Sequence, residues 1–159
     1  MEELYFPVFI KISGKKIIVF GAGNIACRRV RVLCNFGADI TVVAPNLHQE
    51  IINMKQRFID NITLKNGVYK NGMIDEYDLV FSAVDDINVD QAIYQECREK
   101  KIPVNIASDR TLCDFYFPAV VKEEDMVIGV SSGGRDHKKV KKTAGLIRNL
   151  LKKGDNHYD

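Results

Sequence analysis

The chain lacks most of the features that would assign it to a compartment or a polymer partner. Its 159 residues hold no apolar run near the about 20 needed to cross a bilayer. The first residues carry neither the basic region nor the small-residue cleavage site of a secretory leader. No membrane partner is expected, and a cytoplasmic location is. Lysine and arginine number 23 against 21 aspartates and glutamates, so no global charge argues for nucleic acid. The four cysteines, Cys27, Cys34, Cys97 and Cys113, show no Cys-x-x-Cys spacing and no secreted disulfide framework. They read as buried free thiols of a reducing compartment. His48, His137 and His157 have no His-x-x-x-His spacing, so no metal site is read. Neither an internal repeat nor a low-complexity linker interrupts the chain. Its length suits one domain, or one domain and a small appendage.

A glycine fingerprint is present, and in its proper setting. Lys16-Ile17-Ile18-Val19-Phe20 is rich in β-branched residues, the pattern of a buried parallel strand. It runs straight into Gly21-Ala22-Gly23-Asn24-Ile25-Ala26, after which the spacing turns helical. Strand, Gly-x-Gly-x-x-Ala turn and helix together predict a dinucleotide site. Gly21 permits the tight turn, and Gly23 lets backbone approach a pyrophosphate. Ala26 lets the helix pack close to the strand, and free N–H groups at the helix start attract phosphate.

The spacing predicts the first helix over 24–36, with Ala26, Val30 and Leu33 facing a sheet and Gly37 as its stop. Further strands are expected at 39–44, 62–64, 78–84 and 103–107, with a helix over 49–58 and another ending near residue 101. Tyr5 to Ile12 alternates loosely and is expected to lie against the sheet as an arm or edge strand. This alternation means a parallel sheet covered on both faces. The rhythm then changes. Runs at 115–121 and 126–131 stand at hairpin spacing around Lys122-Glu123-Glu124-Asp125. A basic helix over 138–151 and a polar tail follow. The expected fold is α/β: a Rossmann-type parallel sheet with helices on both faces, then a β-hairpin and a short C-terminal helix. The expected division is 1–113, the nucleotide-binding domain, and 114–159, the hairpin and helix.

One residue usual in such domains is missing. An acid at the end of the second strand commonly takes the ribose hydroxyls, but Val43-Ala44-Pro45-Asn46 holds none. No arginine replaces it to suggest a 2′-phosphate. Asn46 and local backbone are the alternative ribose partners; an ordinary strand end at Pro45 is the other reading.

Several segments, taken in order, resemble one family. They are Tyr5-Phe6-Pro7-Val8-Phe9, the fingerprint, Val42-Val43-Ala44-Pro45, Ala83-Val84-Asp85-Asp86, Pro103-Val104-Asn105-Ile106-Ala107, Leu112 to Ala119 and Val130-Ser131-Ser132-Gly133-Gly134. The chain is similar over about residues 4–134 to the precorrin-2 dehydrogenase and sirohydrochlorin ferrochelatase family, the N-terminal module of siroheme synthases. The Cys113-Asp114-Phe115-Tyr116-Phe117-Pro118-Ala119 block is the most discriminating of these. The resemblance implies NAD as cofactor and a tetrapyrrole, precorrin-2, as the substrate oxidised to sirohydrochlorin. It also implies a homodimer interlocked through the hairpin and C-terminal helices. The implied cofactor contacts are Gly21, Gly23, Asn24, Ile25, Pro45 and Asn46, with Ser82, Ala83 and Asp85 beside the nicotinamide end.

The family position of an acid/base or metal-linked aspartate holds Ser108 here, with Asp109 next to it. A serine hydroxyl is a poor base unless activated, and no histidine is near in sequence. Ser108, Asp109 and Asp114 are the candidate proton-transfer residues, with loop or turn capping the competing role of both aspartates. A substrate with many carboxylates calls for cations, for which Arg110, Arg135, His137, Lys138 and Lys139 are available. Arg28 and Arg29 are candidates to reach phosphate. After Gly134 the chain departs from the family, with one helix where members continue with a Ser-Pro turn and a longer helical region. Three functions are compatible with these residues: an NAD-dependent dehydrogenase, a bifunctional dehydrogenase–ferrochelatase, and a non-catalytic NAD-sensing or scaffold module.

Overall fold

Ile17, Ile18, Val19 and Phe20 are all buried, as a strand covered on both faces requires. They belong to β1 (Lys16–Phe20), the middle strand of a five-stranded parallel sheet in a computed structural model describing residues 5–154. Its partners are β2 (Asp39–Ala44), β3 (Ile62–Asn66), β4 (Leu79–Ser82) and β5 (Val104–Ile106), in the order β3-β2-β1-β4-β5. Ile17 stands opposite Ile40 on one side and Leu79 on the other. The chain steps outward from β1 to β3, then crosses back to β4, so strand order reverses beside β1. That reversal opens a crevice at the carboxyl ends of the strands.

The crossovers are α1 (Asn24–Asn35), α2 (Gln49–Arg57) and α3 (Ile87–Lys100). Right-handed connection places α1 and α2 on one face and α3 on the other; Arg31 of α1 pairs with Glu50 of α2. Ala26, Val30 and Leu33 are buried as the helical spacing predicts. No helix joins β3 to β4. The irregular segment 67–78 does so, seated by the fully buried Ile74. Buried Glu96 of α3 accepts hydrogen bonds from the Tyr69 hydroxyl at 2.5 Å, the Gly72 N–H at 2.7 Å and Lys100 Nζ at 2.9 Å.

The far, amino end of the sheet is fastened by charge. Lys15 Nζ donates to Asp78 Oδ1 at 2.8 Å, and the Lys16 N–H donates to Asp78 Oδ2 at 2.9 Å. These two bonds hold the start of β1 to the start of β4.

The chain divides into two compact units, Met1–Phe115 and Tyr116–Asp159. In the second, β6 (Ala119–Glu123) and β7 (Met126–Val130) form an antiparallel hairpin, and α4 (His137–Gly154) packs on β6. Asp136 caps α4, its carboxylate accepting from the Lys139 N–H at 2.8 Å.

Three expectations need correction. Residues 5–12 form no edge strand: Phe6 and Phe9 are 88% and 75% exposed, and Pro7 has no N–H to offer a ladder. The first hairpin strand begins at Ala119 rather than at 115, because Pro118 cannot donate to the ladder. Its turn is only Glu124-Asp125, since Glu123 already stands opposite Met126. The polar tail from residue 155 lies outside the described residues.

Candidate functional site

A cleft of about 1200 Å³ opens at the carboxyl ends of β1, β2 and β4. Its walls are Phe20–Ile25, Val43–His48, Gly67–Tyr69 and Ala83–Ile87 with Val89. The fingerprint forms its floor. Gly21 has φ +97°, and a Cβ there would lie 2.2 Å from the Ala83 carbonyl oxygen. Only glycine fits, because β1 and β4 must close up at this turn. At Gly23 a Cβ would meet nothing within 4 Å. Its absence leaves open space above the turn, available to a ligand.

The start of α1 is left unfilled by the protein. Its N-cap Gly23 supplies no side-chain hydrogen bond, and no acidic residue occupies the first turn. By contrast His48 caps α2 and Asp86 caps α3, each accepting from a backbone N–H two residues on. Uncapped N–H groups and the positive end of a helix dipole suit a pyrophosphate. The glycine turn, the open space and the bare helix end therefore fit a dinucleotide.

Pro45 and Asn46 line the cleft, and Asn66 Nδ2 donates to the Pro45 carbonyl at 3.0 Å, fixing the strand end. Tyr69 stands edge-on to Phe20, ring centroids 5.3 Å apart. Burial, and then the Glu96 carboxylate that accepts its proton, raise the Tyr69 phenol above its ordinary pKa. Nothing in the sequence flagged Tyr69, since the Glu96 that holds it lies 27 residues away.

Gly21, Gly23, Asn24, Ile25, Pro45, Asn46, Ala83 and Asp85 all line the cleft. Ser82 does not: it is fully buried, and its hydroxyl donates to Asp90 Oδ1 at 2.5 Å. Ser108 donates to the other carboxylate oxygen, Oδ2, also at 2.5 Å. Asp90, 1% exposed on α3, is the residue that sequence reasoning missed. Asp109 accepts from both the N–H and hydroxyl of Thr111, at 2.8 and 2.7 Å, and those bonds hold its carboxyl below the usual range. Asp114 pairs with Arg98 at 3.1 Å and accepts from the Val104 N–H at 3.0 Å.

Arg29 is not available to a phosphate. It is buried, its Nη1 lies 3.5 Å from the Ser82 carbonyl and its guanidinium 5.6 Å from the Phe81 ring centroid. Burial lowers its pKa to about 10. Arg28 remains on the exposed face of α1. All four cysteines are free and buried, as expected. Cys27, His48 and Glu50 bring potential ligand atoms within 4.8 Å of one another, but burial holds the Cys27 thiol up and Glu50 is paired with Arg31.

Comparison with known proteins bears on this site directly. A family model described as "Putative NAD(P)-binding" matches residues 8–119. "Probable multifunctional siroheme biosynthesis protein HemA" of Ruminiclostridium josui is 42% identical over 155 residues, 94% of this chain and 29% of that protein. "Siroheme synthase" of Psychrobacter sp. (strain PRwf-1) is 32% identical over 149 residues, 94% of this chain and 30% of that protein. The chain thus spans under a third of the length of these curated relatives. Among solved structures, "SirC, precorrin-2 dehydrogenase" superposes with a TM-score of 0.74 at 22% identity, covering 92% of this chain and 71% of that one. That last likeness is one of fold. It bears out the Rossmann-type sheet followed by a hairpin and a helix.

Proposed function

The chain belongs to the NAD(P)-binding family whose model covers residues 8–119, and from that membership we propose that it is an NAD-dependent dehydrogenase oxidising precorrin-2 to sirohydrochlorin. The observation that carries the proposal is the glycine cradle: Gly21 locked against Ala83, open space at Gly23, and an uncapped α1 facing the cleft. The relatives named for siroheme biosynthesis supply the substrate class.

The residues divide the work. First-turn N–H groups of α1, at Asn24 and Ile25, would hold the pyrophosphate. Pro45 and Asn46 meet a ribose through backbone and amide rather than a carboxylate. Ala83 and Asp85 would form the wall for the reacting ring. The dinucleotide, when bound, supplies the hydride acceptor. The proton lost from the substrate needs a protein acceptor, drawn from Ser108, Asp109 and Asp114. Asp109 and Asp114 have their carboxylates engaged by Thr111 and by Arg98 with Val104, whereas Ser108 is exposed and backed by the Asp90 carboxylate, which makes it the preferred group.

We also propose a homodimer acting in the cytoplasm, with residues 114–159 contributing to the dimer. Phe6, Val8, Phe9 and Ile10 expose 57–88% of their surface, a contiguous apolar stretch of the kind that another chain covers.

The test is anaerobic incubation of the protein with precorrin-2 and NAD, following sirohydrochlorin by absorption, then repeating with ferrous and cobaltous ions. NAD-dependent oxidation is expected. A chain that binds NAD but leaves precorrin-2 unchanged would remove the dehydrogenase reading in favour of a sensing module. Metal insertion would extend it to a bifunctional enzyme.

A further inference from the structure

We propose that Ser108 and Asp90 form a proton-accepting pair, with Ser108 meeting the substrate and Asp90 receiving the proton behind it; this rests on the dehydrogenase reading above. Asp90 is a carboxylate at 1% exposure. Both of its oxygens are held by hydroxyls at 2.5 Å, Ser82 on one and Ser108 on the other. Bonds of that length are those of a hydroxyl donating to an ionised oxygen. A buried carboxylate is costly unless its oxygens are satisfied, and two serines satisfy it without neutralising it.

The two serines differ in what lies on their other side. Ser82 is fully buried at the end of β4. Ser108 is exposed, two residues beyond β5, with its hydroxyl hydrogen committed inward to Asp90. Its oxygen lone pairs are thereby left for an outside donor. β4 and β5 are neighbours in the sheet, and Ala107 N–H donates to the Ser82 carbonyl at 2.9 Å. Ser108 therefore stands beside the strand end from which Ala83 and Asp85 enter the cleft. Ser82 fixes the carboxylate, α3 buries it, and Ser108 connects it to the surface.

The macrocycle loses a hydride, with its electron pair, to the nicotinamide dinucleotide. It loses a second hydrogen as a proton, and that bond's electron pair stays in the ring as the new double bond. The proton passes to Ser108 Oγ while the Ser108 hydroxyl proton passes to Asp90 Oδ2. The neutral carboxyl then returns a proton to Ser108 Oγ, which passes its own to water. A serine alone is a poor base; a carboxylate behind it changes the group that is finally protonated. Ser108 is the catalytic residue and Asp90 its positioning residue.

The experiment compares the wild type with Asp90→Asn, Ser108→Ala and Ser108→Thr in the anaerobic precorrin-2 assay across pH, with NAD binding followed by fluorescence. Asp90→Asn and Ser108→Ala should lower kcat by about 10²-fold or more, with KM and NAD affinity within about twofold. Ser108→Thr, which keeps the hydroxyl, should retain most of the rate. Asp90→Asn should alter the pH profile of kcat, which a merely structural change would leave in place. An active wild type whose two disabling variants keep its kcat and pH profile overturns the pair and leaves the dehydrogenase reading standing. A wild type that does not oxidise precorrin-2 overturns both. Should Asp90→Asn fail to fold, exposed Ser108 carries the comparison through Ala against Thr.

Discussion

A methyl group at Gly21 would lie 2.2 Å from the Ala83 carbonyl oxygen, whereas at Gly23 it would meet nothing within 4 Å. The two glycines therefore separate under substitution. Gly21→Ala combines a backbone clash with an unfavourable φ and should cost more than about 2 kcal/mol in urea unfolding. Gly23→Ala, at φ −76°, should change stability by about 1 kcal/mol or less yet weaken NAD binding in a fluorescence titration. The buried thiols give a pH signature. Burial pushes Cys34 up to about 11 and, with Glu96 and Asp114 adding, Cys97 to about 12, from 9.0. The unfolded chain releases these protons first, so stability is full below about pH 9 and declines as pH rises toward 12. Urea midpoints at pH 8 and pH 10.5 should show the loss, and Cys97→Val should flatten it. The cradle was legible in the sequence because its demands are local, all within Gly21 to Ala26. Asp90 was not. Its partners lie 8 and 18 residues away, and an acid on a helix reads as solvated until the fold buries it.

At the scale of elements, the buried parallel strands were legible to within two residues at either end: β2 spans Asp39–Ala44 as the pattern indicates. The hairpin was displaced because Lys122 and Glu123 look like turn residues, although polar side chains are ordinary on a two-stranded ribbon with an open face. Its ends were set instead by Pro118 and by Glu124, which adopts φ 49°. Lys101 closes α3 in the same left-handed region, at φ 56°. A side chain there costs about 1 kcal/mol relative to glycine. Lys101→Gly should therefore stabilise the protein by roughly that amount, read from the urea midpoint, with no change in NAD affinity. The segment 67–78 had no periodicity to read. Its shape is fixed by Glu96 of α3 and by the buried Ile74.

For the molecule as a whole, the exposed arm makes the sharpest claim. Phe6 at 88% and Phe9 at 75% exposure are costly surfaces for a monomer to keep in water. Sedimentation equilibrium should report a dimer, and the double change Phe6→Ser with Phe9→Ser should shift it toward monomer. An unaltered sedimentation profile would remove the arm from the interface.

The bonds at the amino end of the sheet have a different consequence. Lys15, Lys16 and Asp78 fasten β1 to β4 there, while the cleft lies beyond the opposite end of the same strands. Changes at that fastening and changes at the cleft therefore fall at opposite ends of one sheet. Rewriting Asp78 or its lysines leaves every residue of the cleft in place, so the two ends of the sheet are free to vary independently.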